Sequence, residues 1–307
     1  MSYSATTIDL SRIPFPDVIE TLDSEAMIDA FKARFLEVWT TAREQDPSLP
    51  AYDVEMLETD PAVIIGTTWS FLRLLDRARV NDAVKAVFAS SATGADLDNV
   101  VARANVQRLT IIPVAGDNPA VMESDAALLR RYLLSFDRPS AGSRDAYLYH
   151  AWTAWPLMHD AAVIGRAIHG RRGDVDIVIC GPGGRLPTTE EMVLVRAAVT
   201  GTSVKPEATA VVVLEATRTT YAVDITITVA RGPDPETVRQ EAVARIIAAT
   251  AERTAIGAEV PAEFISGAAY GPSVLRVTRA SPAADIAAHP YAVPVCTAVH
   301  VKVEVQG

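Results

Sequence analysis

Asp60-Pro-Ala-Val-Ile-Ile-Gly-Thr-Thr-Trp69, Ser70-Phe-Leu-Arg-Leu-Leu-Asp-Arg-Ala-Arg79 and Val80-Asn-Asp-Ala-Val-Lys-Ala-Val-Phe-Ala-Ser-Ser-Ala-Thr-Gly94 form the longest uninterrupted helical signal in this chain. Asp60 is placed to accept hydrogen bonds from the free amides of a first turn, and Pro61 falls where its missing N–H is not needed. Apolar residues recur at helical spacing, at Ile64, Phe71, Leu72 and Leu75 and again at Val80, Val84, Val87 and Phe88. No proline interrupts them, and Gly94 offers a left-handed stop. One helix of about 45 Å is expected, longer than a small domain requires. A helix of that length has to lie against something else.

Upstream, Asp23 or Ser24 can cap a first helix that presents Ile28, Phe31, Phe35, Val38 and Ala42 on one stripe and ends at Asp46-Pro47. Before it, Ile13-Pro-Phe-Pro16 forces an extended course, because proline disfavours a helical residue in front of it. Residues 1–22 read as an arm whose Ile13, Phe15, Val18 and Ile19 pack on a neighbouring surface, of the same subunit or another. Downstream, Asp96 can cap a short helix bearing Leu97, Val100 and Val101. Asp96 and Asp98 also invite a metal reading, but the spaced acidic ligands and glycine of a calcium loop are missing.

At Leu109 the sequence changes character. Ser124 and Ser143 can each cap a helix, the first carrying Leu128, Leu129, Tyr132 and Leu133, with Arg130 and Arg131 suited to its C-terminal dipole, and the second carrying Tyr147, Ala151, Trp152 and Trp155. Strand signals at 161–168 and 174–180 flank a glycine-containing hairpin, and a helix over 189–199 and a strand over 210–214 follow. Tyr221 to Val229 alternates apolar and polar residues more cleanly than any other segment. Helices from about Glu236 and from Pro261 to Tyr270, then strands over 274–277 and 297–305, complete a second unit of similar order. The expected fold class is α+β: an arm (1–22), a helical region (23–108), a middle α+β domain (109–215) and a C-terminal α+β domain (216–307).

Composition narrows the function. Over 307 residues an apolar share of 49% is ample for well-filled cores, and a net charge of -10 argues against holding nucleic acid, which needs clustered Lys and Arg. Arg171-Arg172 is followed by Asp174 and Asp176 and reads as a solvated turn. No window approaches the roughly 18 apolar residues of a membrane span, and Met1 to Asp9 shows no signal peptide, so the expectation is a soluble protein retained in the cell that makes it. Cys180 and Cys296 lie far apart in apolar runs, as buried thiols do, rather than as a disulfide or reactive pair.

Catalytic patterns are weak. Gly181-Pro-Gly-Gly184 lies between a strand and a helix as a phosphate loop would, but lacks the Lys-Ser/Thr pair, and Thr188-Thr-Glu-Glu191 reads as a capping box whose carboxylates repel an anion. His150, His159, His169, His289 and His300 lack metal-site spacing. No serine sits in a nucleophile elbow and neither cysteine has an activating setting. No cofactor or metal is expected. An enzyme with a small-molecule site between the two α+β domains is the alternative that a pocket of shifted acids or histidines would favour. A free-standing binding module is a third reading.

Arg79-Val-Asn-Asp-Ala-Val-Lys-Ala86, Ala92-Thr-Gly-Ala-Asp-Leu-Asp-Asn99 and Val106-Gln-Arg108, followed by Glu123-Ser-Asp-Ala-Ala-Leu-Leu-Arg-Arg131, Ser140-Ala-Gly-Ser-Arg-Asp-Ala-Tyr147 and His150-Ala151, resemble the signature of the baseplate J-like proteins. The resemblance covers most of the chain in the family's order. It implies a structural wedge subunit of a contractile phage tail or related injection machine, located in the virion baseplate and assembled in the host cytoplasm. It also implies amino-terminal helices that bundle with sister copies and another tail protein, and carboxy-terminal domains that pair into a six-fold ring around the tail tube. Its implied partners are further copies of itself, tail protein I-like and small W-like wedge proteins, and the hub or tube, with no nucleic acid and no membrane. Surplus apolar helix singles out Ile28, Phe31, Phe35, Trp69, Leu72 and Leu75 as subunit contacts. Arg79, Asn81 and Arg108 match family positions, as partner contacts or as polar residues closing helix ends and a buried corner. The proline- and alanine-rich stretch 268–295 departs from the family's regular tail.

Overall fold

The computed structural model describes residues 10–52 and 56–306, and the reading of Met1 to Asp9 lies outside them. The chain divides into two compact units, one ending at Arg103 and the other beginning at Ala104. The mixture of helices and small sheets is α+β, as the sequence implies.

In the first unit, α1 (Ser24–Gln45) is capped by Asp23, whose side chain accepts from the Glu25 and Ala26 amides. α2 (Pro61–Lys85) is capped by Asp60, which accepts from the Ala62 amide at 2.7 Å and from the Tyr52 hydroxyl at 2.6 Å. That helix stops nine residues before Gly94. Its last turn tightens into Val87→Val84 and Phe88→Lys85 backbone bonds, and the Ser91 hydroxyl takes the Lys85 carbonyl at 2.7 Å. At 25 residues α2 spans about 37 Å rather than 45 Å. Gly94, at φ 54°, opens α3 (Gly94–Ala102) instead of closing α2. The N-cap there is Thr93, and Asp96 lies inside the first turn, where its charge suits the helix dipole. Leu97, Val100 and Val101 are buried.

The second unit starts with a short antiparallel pair, β1 (Thr110–Ile112) with β2 (Val121–Met122). α4 (Asp125–Ser135) and α5 (Arg144–Ala154) follow, capped by Ser124 and Ser143. Arg131 does not serve the dipole of α4. It is buried and ion-paired with Glu123 at 2.7 Å, because its position on the helix faces the core rather than the C-terminal rim. β3 (Asp160–Ile164) ends earlier than its apolar run suggests, and a one-turn helix follows, α6 (Arg166–His169), closed by left-handed Gly170. β4 (Asp174–Cys180) is the central strand, antiparallel to β3 and parallel to β5 (Ala210–Glu215), with α7 (Thr189–Val199) as the crossover.

The long strand β6 (Thr217–Val229) centres the other sheet, between antiparallel β7 (Val274–Ser281) and parallel β8 (Ala292–Val305). Its alternation is realised as strictly alternating buried and half-buried positions from Tyr221 to Val229. The inward set packs on Val238, Ala242 and Ile246 of α8 (Pro235–Glu252) and on Ile265 and Ala269 of α9 (Ala262–Ala269). The region 268–295, irregular in sequence, holds all of β7 and the start of β8.

The sheets share apolar packing: Ile164, Val178 and Cys180 cluster with Ala216, Val293 and Val295. Gly184, at φ 72°, allows the approach, because a Cβ there would lie 2.7 Å from the Val295 side chain. A polar tie lies nearby, with Tyr291 donating to Asp176 at 2.6 Å and Arg171 gripping the same carboxylate. Burial pushes the Asp176 carboxyl up, but these hydrogen bonds outweigh it and hold it below the usual range.

Candidate assembly surface

α2 is apolar around most of its circumference, yet it covers only one stripe. Val63, Gly66, Ser70 and Asn81 are its buried residues, recurring at helical spacing on the side toward α1 and the arm. Ile64, Ile65, Trp69, Phe71, Leu72 and Leu75 are 48% to 66% exposed. α1 buries no residue at all. Monomeric proteins rarely leave so much contiguous apolar surface in water, and patches of this kind mark sites of association.

The named residues separate into groups. Phe31 and Phe35 are half-buried within the helix pair: a Cβ on Gly66 would run into the Phe31 ring, and Phe35 meets the Tyr52 ring edge-on at 5.0 Å. Trp39 extends the cluster and donates to the Pro50 carbonyl at 3.1 Å, closing the link between the helices. Ile28 is half-buried on the flank of α1, whereas Trp69, Leu72, Leu75 and Arg79 are exposed. Asn81 is buried, and its side chain bonds the backbone of Glu20. Arg108, in the second unit, donates to the Glu123 carbonyl at 2.6 Å and pairs with Asp125 at 2.6 Å.

Arg108 borders a polar knot that sequence reading missed. Arg131 clasps both oxygens of Glu123, at 2.8 and 2.7 Å, and reaches the Gln107 carbonyl at 2.5 Å. Glu123 also accepts from the Leu109 amide at 3.1 Å. The only available signal was a Glu eight residues before an Arg on an otherwise apolar helix face.

Comparison with known proteins gives two findings. Residues 58–115 match the model of the baseplate J-like N-terminal domain. Over 306 residues the chain is 30% identical to Baseplate protein J of Escherichia phage P2, covering 94% of this chain and 95% of that protein.

The chain belongs to the baseplate J-like family.

It is a structural component of a phage baseplate. The matched stretch of the baseplate J-like domain contains α2, α3 and β1, so the exposed apolar stripe and Arg79, Asn81 and Arg108 all lie inside it.

Elsewhere in the baseplate J-like chain, a cleft of about 670 Å³ in the second unit is bordered by Trp152, His159, Asp160 and the end of α8. Asp160 is pushed above the ordinary carboxylate range by burial, against the hydrogen bond it accepts from the Ile256 amide at 2.7 Å. His159 Nε2 bonds the Thr254 carbonyl at 2.6 Å. Both side chains are thus tied to the 254–256 loop and clamp it to β3. The Cys180 thiol is pushed up to about 12 by burial and then by the Asp160 charge, which suppresses the nucleophilic thiolate. Both cysteines are free thiols. The Gly181–Gly184 loop packs on β8, and the Glu191 carboxylate is taken by Arg185 and the Thr188 amide, completing the capping box. Among the described residues, no three His, Cys, Asp or Glu side chains gather as metal ligands and no helix is long and apolar enough to cross a membrane.

Proposed function

We propose that this chain is a wedge subunit of a contractile phage tail, or of an injection machine derived from one. It contributes to the inner ring around the tail tube and passes on the conformational change that triggers sheath contraction. Its work is mechanical rather than chemical, its place the tail baseplate, and its assembly occurs in the host cytoplasm. The partners are further copies of itself, I-like and W-like wedge proteins, and the hub or tube.

The observation that carries this reading is the uncovered apolar stripe of α2, for which nothing among the described residues of the first unit supplies a cover. Trp69, Leu72 and Leu75 are the contacts, Ile28 extends them onto α1, and Phe31 and Phe35 act beneath the surface by setting the α1–α2 packing. The domains over 109–215 and 216–307 pair subunits and move as rigid pieces when the sheath contracts.

Leu72→Asp tests the reading. Leu72 is 56% exposed, so the substitution leaves the isolated fold intact. Burying a leucine is worth about 1.5–3 kcal/mol, so capture by the other baseplate proteins, co-expressed and measured by native mass spectrometry, should weaken at least about tenfold. Normal assembly of the variant would overturn the proposal.

A further inference from the structure

The α1–α2 pair has two flanks, and they carry opposite charge. On one, α1 contributes Met27, Phe31 and Arg34 and α2 contributes Ile65, Trp69, Arg73 and Arg77, lining a groove of about 570 Å³. The α2 residues follow one another at four-residue steps, so they form a single ridge along the helix. On the other flank a groove of about 530 Å³ is lined by Glu25, Ile28, Asp29 and Lys32 of α1, Glu58 before α2, and Ile64 and Thr68 of α2. Neighbouring positions such as Ile64 and Ile65, or Met27 and Ile28, fall on different flanks, because consecutive helix residues are about 100° apart. Each floor is apolar and accessible, with Ile64 53% and Ile65 66% exposed.

The carboxylates of the acidic flank are unspent, whereas two of the three arginines already hold an exposed carboxylate. Arg34 is paired only with its exposed helix neighbour Glu37, and Arg77 with Glu20. Arg73 makes no ion pair among the described residues, and neither do Glu25, Asp29 and Glu58. A basic-rimmed apolar groove and an acidic-rimmed one therefore stand on opposite sides of one two-helix layer.

We infer that the arginine-rimmed groove of one copy receives the acidic flank of a second copy, so that α1–α2 pairs stack head to tail. This deepens the wedge reading, and rests on it, by naming which surface meets which. Removal of the two apolar floors from water drives the contact, and the charges set its polarity and exclude basic-to-basic and acidic-to-acidic pairing. Such a contact is heterologous, since the two copies use different surfaces. It leaves one arginine-rimmed and one acidic face open at the ends of any stack, for further copies or closure into a ring.

The test uses the full chain and two variants confined to exposed residues. Arg34→Glu with Arg73→Glu makes both flanks acidic, and Asp29→Lys with Glu58→Lys makes both basic. Thermal melts should match the parent. By sedimentation and native mass spectrometry each variant alone should self-associate at least about tenfold more weakly than the parent, because attractions become repulsions. Mixed in equal amounts, the two should associate again, alternating along the stack. Overturning results are a parent monomeric at all concentrations, variants that associate as the parent does, or a mixture that stays monomeric. Failure of the Leu72→Asp test would overturn the wedge reading, whereas failure here with that test passed would leave the wedge reading intact and assign the grooves to a different baseplate protein.

Discussion

Asn81 and Glu20 close a two-membered hydrogen-bond pair across 61 residues of sequence: the Asn81 Oδ1 accepts from the Glu20 amide at 3.1 Å, and its Nδ2 donates to the Glu20 carbonyl at 2.8 Å. A single side chain thus treats the arm as a neighbouring strand would. Arg77 adds an ion pair to Glu20 at 3.2 Å, and Lys85 lies over the Phe15 ring at 5.9 Å. The arm is thereby fastened to the side of α2 that carries the buried stripe, which leaves the apolar stripe free. Asn81→Ala removes both hydrogen bonds to the Glu20 backbone at a partly buried position, at a cost of about 0.5–1.5 kcal/mol. Hydrogen exchange at the Glu20 amide should quicken and proteolysis within residues 12–20 should rise. Unchanged protection of that amide would show that other contacts hold the arm.

Arg131 and Glu123 make a corresponding knot in the second unit, both 3% exposed. An ion pair at this depth contributes little net stability, but loss of one partner leaves a buried charge alone. Arg131→Met should therefore lower unfolding free energy by about 3–5 kcal/mol, and Glu123→Gln by less, because the amide keeps a hydrogen-bonding oxygen. Arg131→Met combined with Glu123→Leu should recover part of the loss. Denaturant melts of these variants and of Glu123→Leu alone close the cycle, and additive losses would refute coupling.

Most helix beginnings were legible because caps are local chemistry: Asp23, Asp60, Ser124, Ser143 and the Thr188–Glu191 box each occupy the positions their side chains dictate, whereas α3 starts at Thr93 with no side-chain cap and takes Asp96 into its first turn. The inward face of β6 was equally legible, since period-two burial is written residue by residue. Helix endings were harder. Nothing between Lys85 and Gly94 breaks a helix by propensity, and α2 stops there through a tightened turn and one serine hydroxyl. Long-range pairings were invisible, including Phe31 on Gly66 and the parallel match of β6 to β8, because each depends on tertiary proximity. Surplus apolar helix could be read by counting residues, but the opposite charge of the two α1–α2 flanks required knowing which helix faces meet.

Asp160 supplies a pH signature. Burial raises its carboxyl above the ordinary value of 3.8, so the folded protein holds its charged form at a disadvantage relative to the unfolded chain. The sign follows from linkage. Below the unfolded value both states are protonated and no stability is lost, and as pH climbs through the folded value the unfolded chain gains from ionising first. Asp160→Asn removes the charge and keeps an oxygen that can accept from the Ile256 amide, now accepted by Asp160 at 2.7 Å. The variant should therefore melt at a higher temperature than the parent at pH 7, with the difference shrinking as pH falls toward 4. Calorimetry across that range decides the matter, since a variant less stable by the same amount at every pH would show that the hydrogen bond, rather than the buried charge, governs this position.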